Sequence, residues 1–141
     1  MRPAARRGAV LAAALALVLG GCSPGRVAVV DSERILKESV RALSYQQQLG
    51  EREKAMALDL QLLAGRLSEA DFQARRNRYL KELQQMKAEL EERLNKEVRE
   101  KAGQIVKEKG LRTTVIVKRS VLFALPRRTV DITDEVIARL R

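Results

Sequence analysis

YLKELQQMKAELEERLNKEVREKAGQI, residues 79–105, decides the fold. Its apolar side chains Tyr79, Leu83, Met86, Leu90, Leu94, Val98, Ala102 and Ile105 recur at gaps of 4, 3, 4, 4, 4, 4 and 3, which lays one apolar stripe along one helix. A mean spacing of about 3.7 lies nearer an eleven-residue repeat than a heptad and predicts a straight or slightly right-handed arm. Glu89 with Arg93, Glu92 with Lys96 and Glu97 with Lys101 are acid-first pairs four residues apart that mark the wet face, each contributing roughly 0.2–0.5 kcal/mol. Upstream, Ala42, Leu49, Met56 and Leu63 lie seven apart, with Tyr45, Leu60 and Leu67 in flanking rows and Arg52 interrupting the seam. Between the two patterns Gly65 suits a helix end with positive φ, and Ser68, followed by Glu69 and Asp71, suits the next N-terminus. The spacing therefore predicts an antiparallel hairpin of two long helices over residues 32–110, protruding by roughly 50–60 Å. Gly50 and Gly103 within it mark either bending points or tolerated defects, each costing about 1 kcal/mol relative to alanine.

Residues 1–21 read as a targeting segment outside the fold: Arg2, Arg6 and Arg7 form a basic start, and Gly8 to Gly20 is an apolar run too short to span a bilayer. The run ends in Leu19-Gly20-Gly21-Cys22, which resembles the lipobox of bacterial lipoproteins, in which the new N-terminal cysteine is acylated. The alternative is an ordinary signal peptide cut near Gly21, leaving a free thiol at Cys22. Residues 22–26 form a short tether, and 27–141 a single domain. Removing three arginines from the 28 basic residues leaves 25 against 18 acids, a mature charge of +7. Export and the lack of base-reading motifs argue against nucleic acid, which leaves anionic membrane surfaces or acidic client segments.

Around the hairpin, 27–31 and 111–141 form a small body. Val27-Ala28-Val29-Val30 reads as a buried strand, with Asp31 or Ser32 capping the outgoing helix. Gly110 stops the return helix. Thr113 to Val117 and Val121 to Leu125 read as strands joined at Lys118-Arg119-Ser120, and Pro126 ends the second or puts it at an edge. A short helix follows, with Thr133 as its N-cap, Asp134 and Glu135 in the first turn, and Val136, Ile137 and Leu140 facing inward. A body of about 35 residues with no disulfide and no metal ligands predicts completion by oligomerisation. The fold class is thus α+β, mostly α: coiled-coil arms on a small β body with a short C-terminal helix.

With no histidine and its one cysteine at the signal boundary, the chain offers no nucleophile and base pair, no metal site and no cofactor site, and it reads as no enzyme. Asp31, Asp131 and Asp134 each sit where a helix start wants an acid, so capping accounts for them. Two basic groups stand out: Arg75, Arg76 and Arg78 near the hairpin tip, and Arg112, Lys118, Arg119, Arg127 and Arg128 around the strands. Phe72 with Arg75, Arg76 and Arg78 form a candidate client-binding surface. Tyr79, beside them, better suits packing between the arms.

The opening motif Val27-Ala28-Val29-Val30-Asp31-Ser32-Glu33-Arg34-Ile35-Leu36 and the closing motif Asp131-Ile132-Thr133-Asp134-Glu135-Val136-Ile137 resemble those of the Skp/OmpH family of periplasmic chaperones. The resemblance implies a homotrimer whose strands share one β body, three helical hairpins around a cavity that holds unfolded outer-membrane proteins, and no use of nucleotide. Cys22 departs from the soluble family pattern and implies a lipid-anchored form in the cell envelope, facing the periplasm or extracytoplasmic space. Ser23 is compatible with outer-membrane sorting. The family's endotoxin-binding patch has no residue-by-residue match here. The competing reading is a structural coiled-coil lipoprotein that bridges envelope partners without binding unfolded chains.

Overall fold

The computed structural model describes residues 25–118 and 128–141. Its centre is β1 (Val27–Asp31), flanked by β2 (Thr114–Val117) and β3 (Thr129–Asp131) in the order β2-β1-β3, with both pairings parallel. A central parallel strand is covered on both faces, which is why β1 is an unbroken apolar run with Ala28, Val29 and Val30 at most 1% exposed. Parallel neighbours need a crossover. Between β1 and β2 that crossover is the entire helical hairpin: α1 (Ser32–Glu38), α2 (Val40–Leu63) and α3 (Glu69–Glu108).

The return arm agrees with its sequence pattern. α3 is one helix of 40 residues, roughly 60 Å long, with Leu90, Leu94, Val98, Ala102 and Ile105 buried and Tyr79, Leu83 and Met86 half-buried. Gly65 (φ 74°) and Gly110 (φ 62°) hold the left-handed conformations that close α2 and α3. The Ser68 side chain accepts from the Asp71 N–H at 3.1 Å. Gly50 and Gly103 lie inside helices that continue through them, with open space where a Cβ would stand.

The outgoing arm differs from a single long helix. Ser39 is extended (φ −79°, ψ 134°) and separates α1 from α2. Its N–H closes α1 on the Ile35 carbonyl at 3.1 Å, and its Oγ accepts from the Ala42 N–H at 3.1 Å to start α2. A buried serine that satisfies both helix ends competes successfully with continuation of the helix. The acid-first pairing is also corrected at Glu97. Its carboxylate meets Arg41 at 3.1 Å and accepts from Tyr45 Oη at 2.7 Å, both across the arms, so Glu97 belongs to the seam and not to the wet face.

The body is not a separate piece of about 35 residues. One core joins Ala28, Val30, Ile132, Val136 and Leu140 of the body to Ile35, Ala42, Leu94, Val98, Ala102 and Ile105 of the hairpin root. The predicted strand Val121 to Leu125 lies outside the described residues, as do Cys22 and the targeting segment. β3 leaves no periodic signal in the sequence, because its 3 residues are too few to show one.

α4 (Thr133–Arg139) forms as predicted, with Val136 and Leu140 buried and Arg139 bonded to Glu108. Its cap is corrected: Thr133 is the first helical residue, not the N-cap. Asp131 Oδ1 accepts from the Thr133 N–H at 2.9 Å and its hydroxyl at 2.5 Å, and Thr133 Oγ1 accepts from the Asp31 N–H at 2.9 Å. Asp31 in turn caps α1, accepting from the N–H groups of Glu33 (2.9 Å) and Arg34 (3.2 Å). Thr133→Val keeps the branched shape and removes the shared hydroxyl, stranding a buried N–H. Chemical denaturation should show a loss of about 1–3 kcal/mol, and an unchanged midpoint would mean that this junction contributes nothing.

Candidate functional site

The hairpin is zipped in two ways. At its root the apolar stripe of α3 meets Ala42, Tyr45 and Leu49 of α2, leaving a groove of about 230 Å³ lined by Leu36, Leu49, Leu90 and Leu94, with Lys87 and Glu91 at its rim. Farther out, the seam turns polar. Arg52, which breaks the apolar pattern, reaches across to Glu82, its Nε at 2.9 Å and Nη2 at 2.5 Å from one carboxylate oxygen. Nearer the tip, Asp59 Oδ2 accepts from Tyr79 Oη at 2.6 Å and Arg75 Nε at 3.0 Å. The Arg75 guanidinium also stands 5.4 Å from the Tyr79 ring centre, over its face. The hydrogen bond from Tyr79, then that from Arg75, holds the Asp59 carboxyl below its usual range, and the Arg75 guanidinium is raised by its Nε donating to Tyr79 Oη at 3.0 Å and then to Asp59.

These contacts sort the candidate surface. Arg75 is engaged between the arms by Asp59 and Tyr79, and Tyr79 has the packing role its spacing suggested. Arg76 and Arg78 are exposed on the next turns, and Phe72 is half-buried. Missing from the sequence-based surface were the large apolar side chains off the seam. Leu58 and Leu62 of α2 are each 57% exposed, and Leu80 of α3 is 49% exposed. A second exposed set lies near the root and sheet, with Leu36, Val40, Leu43, Val115 and Ile116. The available signal was leucines outside both apolar stripes.

Of the strand-side basic group, Arg112 and Lys118 fall at opposite ends of β2, while Arg128 directly precedes β3. Arg119 and Arg127 lie outside the described residues. Among the described residues no helix is long and apolar enough to cross a membrane.

The family model described as outer membrane protein (OmpH-like) matches residues 66–140, more than half of the chain. The match runs from the hairpin tip through α3, β2 and β3 into α4. It takes in the closing motif Asp131–Ile137 and does not extend to the opening motif at 27–36. No curated protein matches the chain closely enough to count as a relative.

The polar clamp has a signed pH dependence. Because Asp59 is held below its ordinary value of 3.8, its contribution is present above that pH and lost as pH falls through the lowered value. A spin-label pair at the exposed Gln61 and Asn77 should report a narrow separation at neutral pH that broadens below about pH 4. Asp59→Asn should broaden it at neutral pH and remove most of the pH response. A profile identical to that of the unaltered chain would show that Asp59 does not hold the tip.

Proposed function

Since the chain belongs to the OmpH-like (Skp/OmpH) family, whose members are periplasmic chaperones that form trimers and bind unfolded outer-membrane proteins, we propose that it is an ATP-independent holding chaperone for unfolded exported or outer-membrane proteins, anchored by lipid at Cys22 in the cell envelope. The observation that carries this reading is the outer hairpin, where Leu58, Leu62 and Leu80 stay exposed while ion pairs join half-buried apolar side chains in the inter-arm seam. An unfolded client has no fixed shape to match. A holder must therefore use non-directional forces, namely apolar contact and charge attraction, and Arg76 and Arg78 beside Phe72 supply the second. Three copies raise the mature +7 to +21, and such a field speeds capture of acidic chains at low salt.

The assembly has a matching rationale. Val115 (40% exposed) and Ile116 (38% exposed) of β2, at the edge of the sheet among the described residues, stand beside Ala102 and Gly103 of α3, a surface that a neighbouring subunit would cover. Light scattering should give the mass of three subunits. Ile116→Asp, half-exposed in one chain and buried only between chains, should dissociate the oligomer while helix content persists; a folded monomer from the unaltered chain would refute the shared body.

The activity itself is tested by adding the full chain to a β-barrel membrane protein diluted from denaturant. Suppressed aggregation is expected without nucleotide. Leu58→Ser, Leu62→Ser and Leu80→Ser together should weaken it at all salt concentrations, whereas Arg76→Gln with Arg78→Gln should slow capture of acidic clients mainly at low salt. No suppression by the unaltered chain would favour a structural lipoprotein that bridges envelope partners.

A further inference from the structure

The parallel sheet gathers three arginines that lie far apart in sequence. Its register pairs Ala28 with Thr114 and Val27 with Thr129. Continued two residues outward from the first pair and one from the second, the same register stands Arg26 between Arg112 and Arg128. The Arg112 N–H donates to the Arg26 carbonyl at 3.0 Å, and the Val27 N–H donates to the Arg128 carbonyl at 3.1 Å, so the three backbones run side by side. Neighbouring strands lie about 4.8 Å apart, well inside the Debye length of about 8 Å at physiological salt.

All three arginines are exposed, and none has an acidic partner among the described residues. Arg34, Arg41, Arg52, Arg75 and Arg139, by contrast, each reach a carboxylate. A row of like charges without counter-charges is repulsive in the free protein, and a surface dense in anions relieves that repulsion.

The position of the row points to the kind of surface. β1 runs away from it into Asp31 and α1, and α3 passes Ser32 and Ile35 at Val98 before ending at Glu108, four residues ahead of Arg112 in the row. The hairpin thus leaves the sheet at the end opposite the arginines. Gly25 continues from the row into residues 1–24, whose sequence holds the apolar run Gly8 to Gly20 and Cys22. An acidic client held by the outer hairpin would be at the far end of the molecule; a membrane met by the N-terminal segment would be next to the row.

We propose that Arg112, Arg26 and Arg128 seat the sheet end of the protein on an anionic phospholipid surface, binding headgroup phosphates so that the hairpin points away from the membrane. The proposal rests on reading the chain as an envelope protein held near its N-terminus, and it is independent of whether the arms capture clients.

The test floats the full chain, purified from an exporting host, with phosphatidylcholine vesicles that either contain phosphatidylglycerol or lack it. Neutral vesicles record whatever an anchor or apolar segment contributes, so the ratio isolates the charge effect. The unaltered chain should prefer anionic vesicles strongly at about 0.05 M salt and lose that preference at about 0.5 M. Arg26→Gln, Arg112→Gln and Arg128→Gln together should cut the preference by about a hundredfold, about fivefold per arginine, with helix content unchanged. The three Lys replacements should keep it, as should Arg76→Gln with Arg78→Gln at the tip. If the triple Gln variant does not fold, Arg128→Gln alone should still show the fivefold loss. An unaltered preference in the row variant, or its loss in the tip variant, overturns the proposal. So does a row variant that keeps its vesicle preference yet fails to capture an acidic unfolded protein, since the row would then be a client surface. Client capture by the unaltered chain, measured separately, decides the chaperone reading whatever the vesicles show.

Discussion

The hydroxyl of Thr133 lies at the joint on which the rest of the molecule depends. It accepts from the Asp31 N–H and donates to Asp131, fastening the end of the central strand to the start of the last helix. Asp31 then turns the chain out of the sheet by capping α1. No buried side-chain polar atom among the described residues lacks a partner, and at this joint that condition is demanding, because Asp31 and Thr133 are both at most 1% exposed. A buried N–H without a partner costs more than an average hydrogen bond gains, so the joint enforces one geometry. Where it sends α1 decides where the whole hairpin points.

Stability is distributed unevenly along that hairpin. Its root shares a core with the sheet and α4, with Ile105, Val98 and Ala102 packed against Ala28 and Val30. Its outer half rests on Met56, on half-buried side chains such as Leu83 and Met86, and on exposed ion pairs, and pairs of this kind contribute only about 0–1 kcal/mol each. A rigid base with a loosely zipped end suits a protein of a chaperone family whose clients have no fixed shape. The arrangement leaves large apolar side chains in water at the end that is easiest to deform.

Charge is divided in the same spatial sense. Arg34 bridges Glu38 and Asp134 and so ties α1 to α4, while Arg139 and Glu108 tie α4 to α3. Arginines at these joints are spent on internal order. The arginines at the sheet end and the outermost ones near the tip lack such partners among the described residues, which places unneutralised positive charge at the two extremes of a long molecule. Extremes that differ in their surroundings, three arginines abreast on a sheet against two on a helix beside leucines, are suited to different anions.

The sequence by itself determined the return arm, its stop at Gly110, the turn at Gly65 with the cap at Ser68, the buried first strand and the closing helix. Each of these rests on a local rule: helical periodicity, left-handed glycine, a side-chain cap, or an unbroken apolar run. Tertiary structure decided the break at Ser39, the use of Glu97 and Arg75 across the seam, and the placing of Thr133 inside α4. In each case a polar side chain chooses between local and distant partners, and burial sets the choice. The tip candidates show the same division: their charge was legible from spacing, but the engagement of Arg75 by Asp59, sixteen residues earlier in the chain, was not. The row of Arg112, Arg26 and Arg128 is the clearest case, since only the parallel register of three strands brings those positions together.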